Sequence, residues 1–126
     1  MNSVERDPLS ERIIGLAMAV HRVLGPGLLE SAYEECLCFE LAEARVTFSR
    51  QQALPVSYKG VHLDCGYRMD LVVENQMILE LKSVEKLQPI HEAQMLTYLR
   101  LSRHPVGLLI NFNSAILKDG IRRFVL

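Results

Sequence analysis

Residues 67–82 constrain this chain more than any other stretch. They read as two strands turning at Glu74-Asn75-Gln76. That turn sets Val73 against Met77, Val72 against Ile78, Leu71 against Leu79, Asp70 against Glu80 and Met69 against Leu81. Side chains alternate across a strand. One face of the hairpin then carries Met69, Leu71, Val73, Met77, Leu79 and Leu81, which is wholly apolar and must be core. The other carries Arg68, Asp70, Val72, Ile78, Glu80 and Lys82. It is apolar beside the turn and ends in two opposed carboxylates.

Opposed side chains on such a pair have Cβ atoms about 5 Å apart. Like charges at that distance repel, so something positive belongs between them. A hard divalent cation takes oxygen ligands of this kind, and Mg²⁺ commonly uses one or two carboxylates with water and substrate phosphate. Lys82 points to the same side and is placed to orient a water or to stabilise charge on a phosphate. The same residues also fit a solvated strand face on which Lys82 and Arg68 neutralise Asp70 and Glu80. On the hairpin alone both readings stay open.

The flanking sequence supplies helices. Ile13, Leu16, Ala17, Val20, Val23 and Leu24 form one stripe, so a first helix runs from Ser10 to about Leu24, after a loose leader over residues 1–9. Gly25-Pro26-Gly27 breaks it. A second helix follows from about Leu28 to Ala44, with Leu29, Ala32, Tyr33, Cys36 and Phe39 as its apolar face. Residues 47–59 read as a strand, Lys59-Gly60 as a turn, and Val61 with Leu63 as a return strand. After the hairpin come a helix from Ile90 to Ser102, a strand from Val106 to Asn111 and a short strand from Ile121. The order αα-βββ-α-β predicts an α/β domain spanning residues 1–126, a mixed sheet flanked by helices.

The 126 residues carry a net charge of −1, so no broad basic field announces a nucleic-acid partner. Any such affinity must come from a local patch or a metal. The Arg122-Arg123 pair is the one weak patch in view. Three cysteines, Cys36, Cys38 and Cys65, cannot all pair and read as reduced, packed thiols. The four histidines show no ligand spacing. No apolar run approaches the ~20 residues of a membrane span. The amino-terminal residues are polar and acidic, unlike a signal peptide. A cytoplasmic protein without membrane association is expected.

Asp70 at the end of one strand and Glu80-Leu81-Lys82 on the next resemble the PD-(D/E)xK nuclease superfamily. Gln94 and Tyr98 on the following helix look like the branch containing the nuclease domains of recombination helicase-nucleases. Spacing of i, i+4 puts both on one helix face, although a helix edge covering the sheet would show the same pair. Upstream, Gly27-Leu28-Leu29-Glu30-Ser31-Ala32-Tyr33 resembles the signature of the small GxxExxY family within that superfamily. The likeness continues through Leu24-Gly25-Pro26-Gly27, Tyr67-Arg68-Met69-Asp70 and Asn111-Phe112, and covers about residues 10–126. The proline of the superfamily's name is absent, since Met69 stands before Asp70.

The resemblance implies a restriction-endonuclease-like core and metal-dependent phosphodiester hydrolysis of nucleic acid, with DNA the expected substrate. It implies a catalytic set of Glu30, Asp70, Glu80, Lys82, Gln94 and Tyr98. Asp70, Glu80, Glu30 and the Leu81 carbonyl would hold Mg²⁺ or Mn²⁺. Glu30 alone also fits a first-turn carboxylate favoured by the helix dipole. Some related nucleases carry a four-cysteine iron–sulfur cluster, which three dispersed cysteines cannot build. The competing reading is a nuclease-fold module with weak or no turnover that binds nucleic acid or a protein partner. A homodimer through an exposed sheet edge at residues 47–59 is a further expectation.

Overall fold

The computed structural model describes residues 7–126. The elements are α1 (Pro8–Leu24), α2 (Glu30–Glu43), β1 (Phe48–Ala53), β2 (Val56–Tyr58), β3 (Val61–Leu63), β4 (Arg68–Val73), β5 (Met77–Lys82), α3 (Pro89–Ser102), β6 (Val106–Asn111) and β7 (Ile121–Val125). A 3-10 turn at Leu117–Gly120 leads into β7.

Helix α1 starts at Pro8, two residues earlier than expected, because Asp7 caps it by accepting the Ser10 N–H at 2.7 Å. The expected loose leader therefore falls partly on residues 1–6, which lie outside the described residues, while Asp7, Pro8 and Leu9 belong to the helix start. Arg123 is buried and donates to Ser10 Oγ at 3.0 Å and to Asp7 at 2.8 Å. It ties β7 to the start of α1. The Arg122-Arg123 pair is thus not a basic patch.

Five strands form one mixed sheet in the order β1-β4-β5-β6-β7. Its neighbours are antiparallel except β5 and β6, which run parallel from Met77 and Val106 to Lys82 and Asn111. A parallel neighbour requires a crossover, and α3 supplies it. The strand expected over 47–59 is two. β1 is an edge strand of the main sheet, and β2 leaves it to pair with β3 in a separate two-stranded ribbon. Pro55, between them, has no N–H to extend a ladder.

Helices cover both faces. Leu71, Val73, Met77, Leu79 and Leu81 pack against α1 and α2, around Ile13, Ala17, Tyr33 and Leu37. Val72 and Ile78 pack on the opposite face, under Met95, Tyr98 and Leu99 of α3. The apolar part of the second hairpin face is therefore core as well. Met69 joins this second cluster, not the first. The strand path changes there: Asp70 has no partner in the β1–β4 ladder, and Gln51 opposite it sits at φ 49.

Helix α2 presents a different face from the one expected. Tyr33, Leu37, Cys38 and Leu41 are buried, whereas Leu29 is 78% and Phe39 62% exposed. Apolar residues occur nearly all round this helix, so period alone does not select a stripe. The stripe chosen is the one that packs Tyr33, Leu37, Cys38 and Leu41 into the cluster with α1 and the sheet. Cys36 and Cys38 are packed as expected, and burial pushes the Cys38 thiol up to about 11. Cys65 is exposed, contrary to expectation, because it lies in the loop between β3 and β4. All three are free thiols. Among the described residues no helix is long and apolar enough to cross a membrane.

Candidate active site

The expected hairpin register holds near the turn, with Val73 on Met77, Val72 on Ile78 and Leu71 on Leu79. Glu74 and Asn75 both take left-handed φ values, 51 and 52, and Gln76 N–H closes the turn on Val73 O at 3.0 Å. Beyond Leu71 the regular ladder stops. β5 stays paired with β6 along its whole length, so it is β4 that departs.

Side chains bridge the opening. Asp70 N–H donates to Glu80 Oε2 at 2.8 Å, and Leu81 N–H donates to Asp70 Oδ2 at 2.8 Å. Each carboxylate therefore spends one oxygen on the backbone of the opposite strand. The other oxygen of each is left to the notch between the strands, where among the described residues Asp70 Oδ1 has only the Gln51 amide at 3.5 Å. A strand residue's N–H and C=O project to the same edge. Leu81 N–H points at Asp70, so the Leu81 carbonyl faces the same notch.

The two acids resist being charged together. Glu80 is 4% exposed, and burial followed by the neighbouring Asp70 pushes its carboxyl up to about 8. The Asp70 carboxyl is also raised, by burial first and then by Glu34, against the pull of Leu81 N–H, Lys82 and Gln51. Lys82 lies half-buried at the end of β5. Among the described residues it makes no hydrogen bond or salt bridge, and it acts on Asp70 and Glu80 through its field alone. Neutralisation of the pair by direct contact with Lys82 or Arg68 does not occur. Arg68 instead donates to Tyr67 O at 3.0 Å and lies 3.9 Å from Asp64.

Glu30 is brought near by a built loop. The Tyr33 hydroxyl donates to Gly25 O at 2.6 Å and accepts Leu28 N–H at 3.1 Å, while its ring stacks on Phe112 at 4.5 Å. Ser83 Oγ donates to Leu28 O. Gly25 and Gly27 occupy φ 67 and 101, conformations that a side chain resists. The loop Gly25–Leu29 is thereby held against the end of β5. Glu30, first residue of α2, reaches Ser83 N–H at 3.4 Å. It stands at the rim, and its field on Glu80 is the weakest of those resolved.

One acid was missed in the sequence. Glu34, one turn after Glu30, is nearer Asp70 in effect and raises its carboxyl. Its side chain is largely buried and is held by Arg50 at 2.9 Å and Gln51 at 2.9 Å. Gln51 links Glu34 to Asp70. The i, i+4 spacing from Glu30 was the available signal.

Gln94 and Tyr98 share one side of α3, where Gln94 Nε2 donates to Tyr98 Oη at 3.3 Å. The partner of Gln94 is thus its neighbour on the same helix face. Both residues line, with Lys82, a single groove beside the notch. Asn111 holds the chain where it leaves β5: its Oδ1 accepts Val84 N–H at 3.0 Å and its Nδ2 donates to Val84 O at 2.9 Å.

The donor set fits a hard divalent cation. It offers two carboxylate oxygens and a carbonyl in a notch where a cation would relieve the repulsion that raises both carboxyls. Among the described residues no three His, Cys, Asp or Glu side chains gather as a ready-made cation cluster. Asp70 and Glu80 face each other across the notch, and Glu30 stands at its rim.

The family model that matches this chain describes the PD-(D/E)XK nuclease superfamily, over residues 7–124. No curated protein and no solved structure matches.

Proposed function

This chain belongs to the PD-(D/E)XK nuclease superfamily, and from that premise we propose that it cleaves DNA at the β4–β5 notch with Mg²⁺ or Mn²⁺. Nuclease kinship implies a nucleic acid substrate and phosphodiester hydrolysis, and such nucleases generally use divalent metal ions. The observation that carries the reading is the crossed pair. Buried Glu80 and half-buried Asp70 each have one oxygen satisfied by a backbone N–H and one left over. A structural pair would be neutralised by a contacting cation, and Lys82 does not make that contact.

The residues take these roles. Asp70, Glu80 and the Leu81 carbonyl would hold the cation, with Glu30 adding a carboxylate at the rim. When bound, the cation polarises the phosphate and lowers the pKa of water. Lys82 is free to position the attacking water and to stabilise charge growing on the phosphate. Gln94 and Tyr98 orient the strand along α3. The loop held by Tyr33 supports assignment to the GxxExxY group, because it gives each named residue of that motif a physical task. Three free thiols are consistent with a reducing, cytoplasmic setting. The edge strand β1 offers a surface for a second copy or a protein partner.

The test is cleavage of single-stranded, duplex and branched DNA with and without Mg²⁺ or Mn²⁺, by wild type and by Lys82→Ala. Metal-dependent cleavage that disappears in the variant supports the reading. Equal activity in both points to a contaminant. No cleavage by wild type, with no metal binding by calorimetry, turns the reading to a non-catalytic module.

A further inference from the structure

Beside the notch, a groove of about 680 Å³ runs between α3 and the base of the β2–β3 ribbon. This lies within the roughly 300–1,000 Å³ range of small-molecule sites. Val56 and Tyr67 form one wall, Ile90, Gln94 and Tyr98 the other, and Lys82 contributes to both groove and notch. The lining is mainly apolar and aromatic. That is the wrong chemistry for a phosphodiester backbone, which calls for cations and N–H donors.

The two tyrosines are arranged for use. Their rings meet edge to face, with centroids 6.3 Å apart and planes at 66°. Tyr98 is buried and its hydroxyl is engaged by Gln94. Tyr67 remains 47% exposed, although its backbone is held: Leu54 N–H donates to Tyr67 O at 3.0 Å. The T-shaped contact keeps the Tyr67 ring from collapsing onto the sheet. An aromatic surface is thus held ready beside the lysine that faces the reacting phosphate.

We propose that this groove takes an unstacked nucleobase, the one next to the phosphate at Lys82, and that the preferred substrate is single-stranded DNA or a frayed end. The inference rests on the nuclease reading above and extends it to substrate class. A paired base within a duplex is already stacked and cannot enter. A base in a single strand has both faces available, and aromatic stacking accepts any of the four. Gln94 and Tyr98 are bonded to each other, and the lining also holds the polar side chains of His91 and Thr97. The stacking face accepts any base, so the groove selects strandedness before sequence.

Binding is measured by fluorescence anisotropy with the full chain in EDTA, so that no cleavage occurs. The probes are labelled oligo(dT), an abasic strand of equal length and a blunt duplex. Oligo(dT) binds tightest, by about tenfold over the abasic strand, the order expected for one stacked base. Tyr67→Ala abolishes that advantage and Tyr67→Phe retains it. Ala93→Trp, at an exposed α3 position lining the groove, abolishes it by filling the space. Equal binding of oligo(dT) and the abasic strand by wild type overturns the inference. So does an advantage that survives both Tyr67→Ala and Ala93→Trp, and so does binding to none of the probes. Adding Mg²⁺ separates the two readings. Cleavage without strand preference removes the base recess and leaves the nuclease standing, whereas preference without cleavage does the reverse.

Discussion

Asp70 and Glu80 are joined through the backbone rather than through a shared ladder: Asp70 N–H donates to Glu80 Oε2, and the Asp70 carboxylate in turn accepts the N–H of Leu81, both at 2.8 Å. The strands are held apart by the two acids that the opening presents. The bond that shapes the notch and the oxygen that faces it belong to the same side chain.

Glu80→Gln separates these tasks. A glutamine oxygen still accepts the Asp70 N–H, so the notch keeps its shape. The remaining ligand is an uncharged amide. Outer-shell partners alone are worth about 10–100-fold in metal affinity, and a direct ligand is expected to cost at least the upper end. Titration calorimetry with Mn²⁺ and a thermal melt test this together. Unchanged metal affinity in a folded variant removes Glu80 from the ligand set.

The pH dependence of stability carries a definite sign. The Glu80 carboxyl is raised from 4.5 to about 8 in the fold, by burial and then by Asp70. Between those values the unfolded chain has released a proton that the folded chain retains. The stability contributed by this group is complete below the lower value and is lost as pH rises through the upper one. The Asp70 carboxyl shifts in the same direction. Metal-free protein should therefore melt at progressively lower temperature from mildly acidic to alkaline pH, and Glu80→Gln should flatten the trend. Metal binding near neutral pH should release a proton, seen as buffer-dependent heat in calorimetry.

Tyr33 is fully buried, with its hydroxyl bonded to both Gly25 O and Leu28 N–H. Tyr33→Phe keeps the stack on Phe112 and removes both bonds, at a cost of about 1–3 kcal/mol. The loop that positions Glu30 loosens as a result. The expected phenotype is a folded protein with reduced activity and faster amide exchange at residues 25–29. Activity equal to wild type would show that the loop's placement does not matter for turnover.

Asn111 is 3% exposed and bonds both backbone groups of Val84. Asn111→Ala leaves those groups without their partner and should lower stability by about 2 kcal/mol. Asn111→Asp keeps the acceptor for Val84 N–H but loses the donor to Val84 O. It should fall between the two in chemical denaturation. An alanine variant as stable as wild type would show that water replaces the side chain.

Much of this was legible in the chain itself. The hairpin register from Leu71 to Leu79, the helix α3 and the opposed acids follow from local signals: alternation, turn residues and helical period. Those signals act between residues close in sequence, where backbone geometry dictates which side chains share a face. The family was legible for the same reason, since its motifs are local strings.

The tertiary structure decided the rest. Helix α2 has apolar residues nearly all round, and its buried side is chosen by packing against α1 and the sheet. Residues 47–59 divide at Pro55; β2 finds the nearby β3, but β1 joins β4 in a pairing between distant segments. Met69 changes faces where the ladder fails at Asp70, which depends on the acid's bonds to the next strand. Glu34 reaches Asp70 through Gln51, three residues on three separate elements. The sequence by itself determined which residues are acidic, apolar or aromatic and the local conformations they favour. Which of them meet was settled by burial and by the need to satisfy each buried polar group, and both depend on contacts between distant parts of the chain.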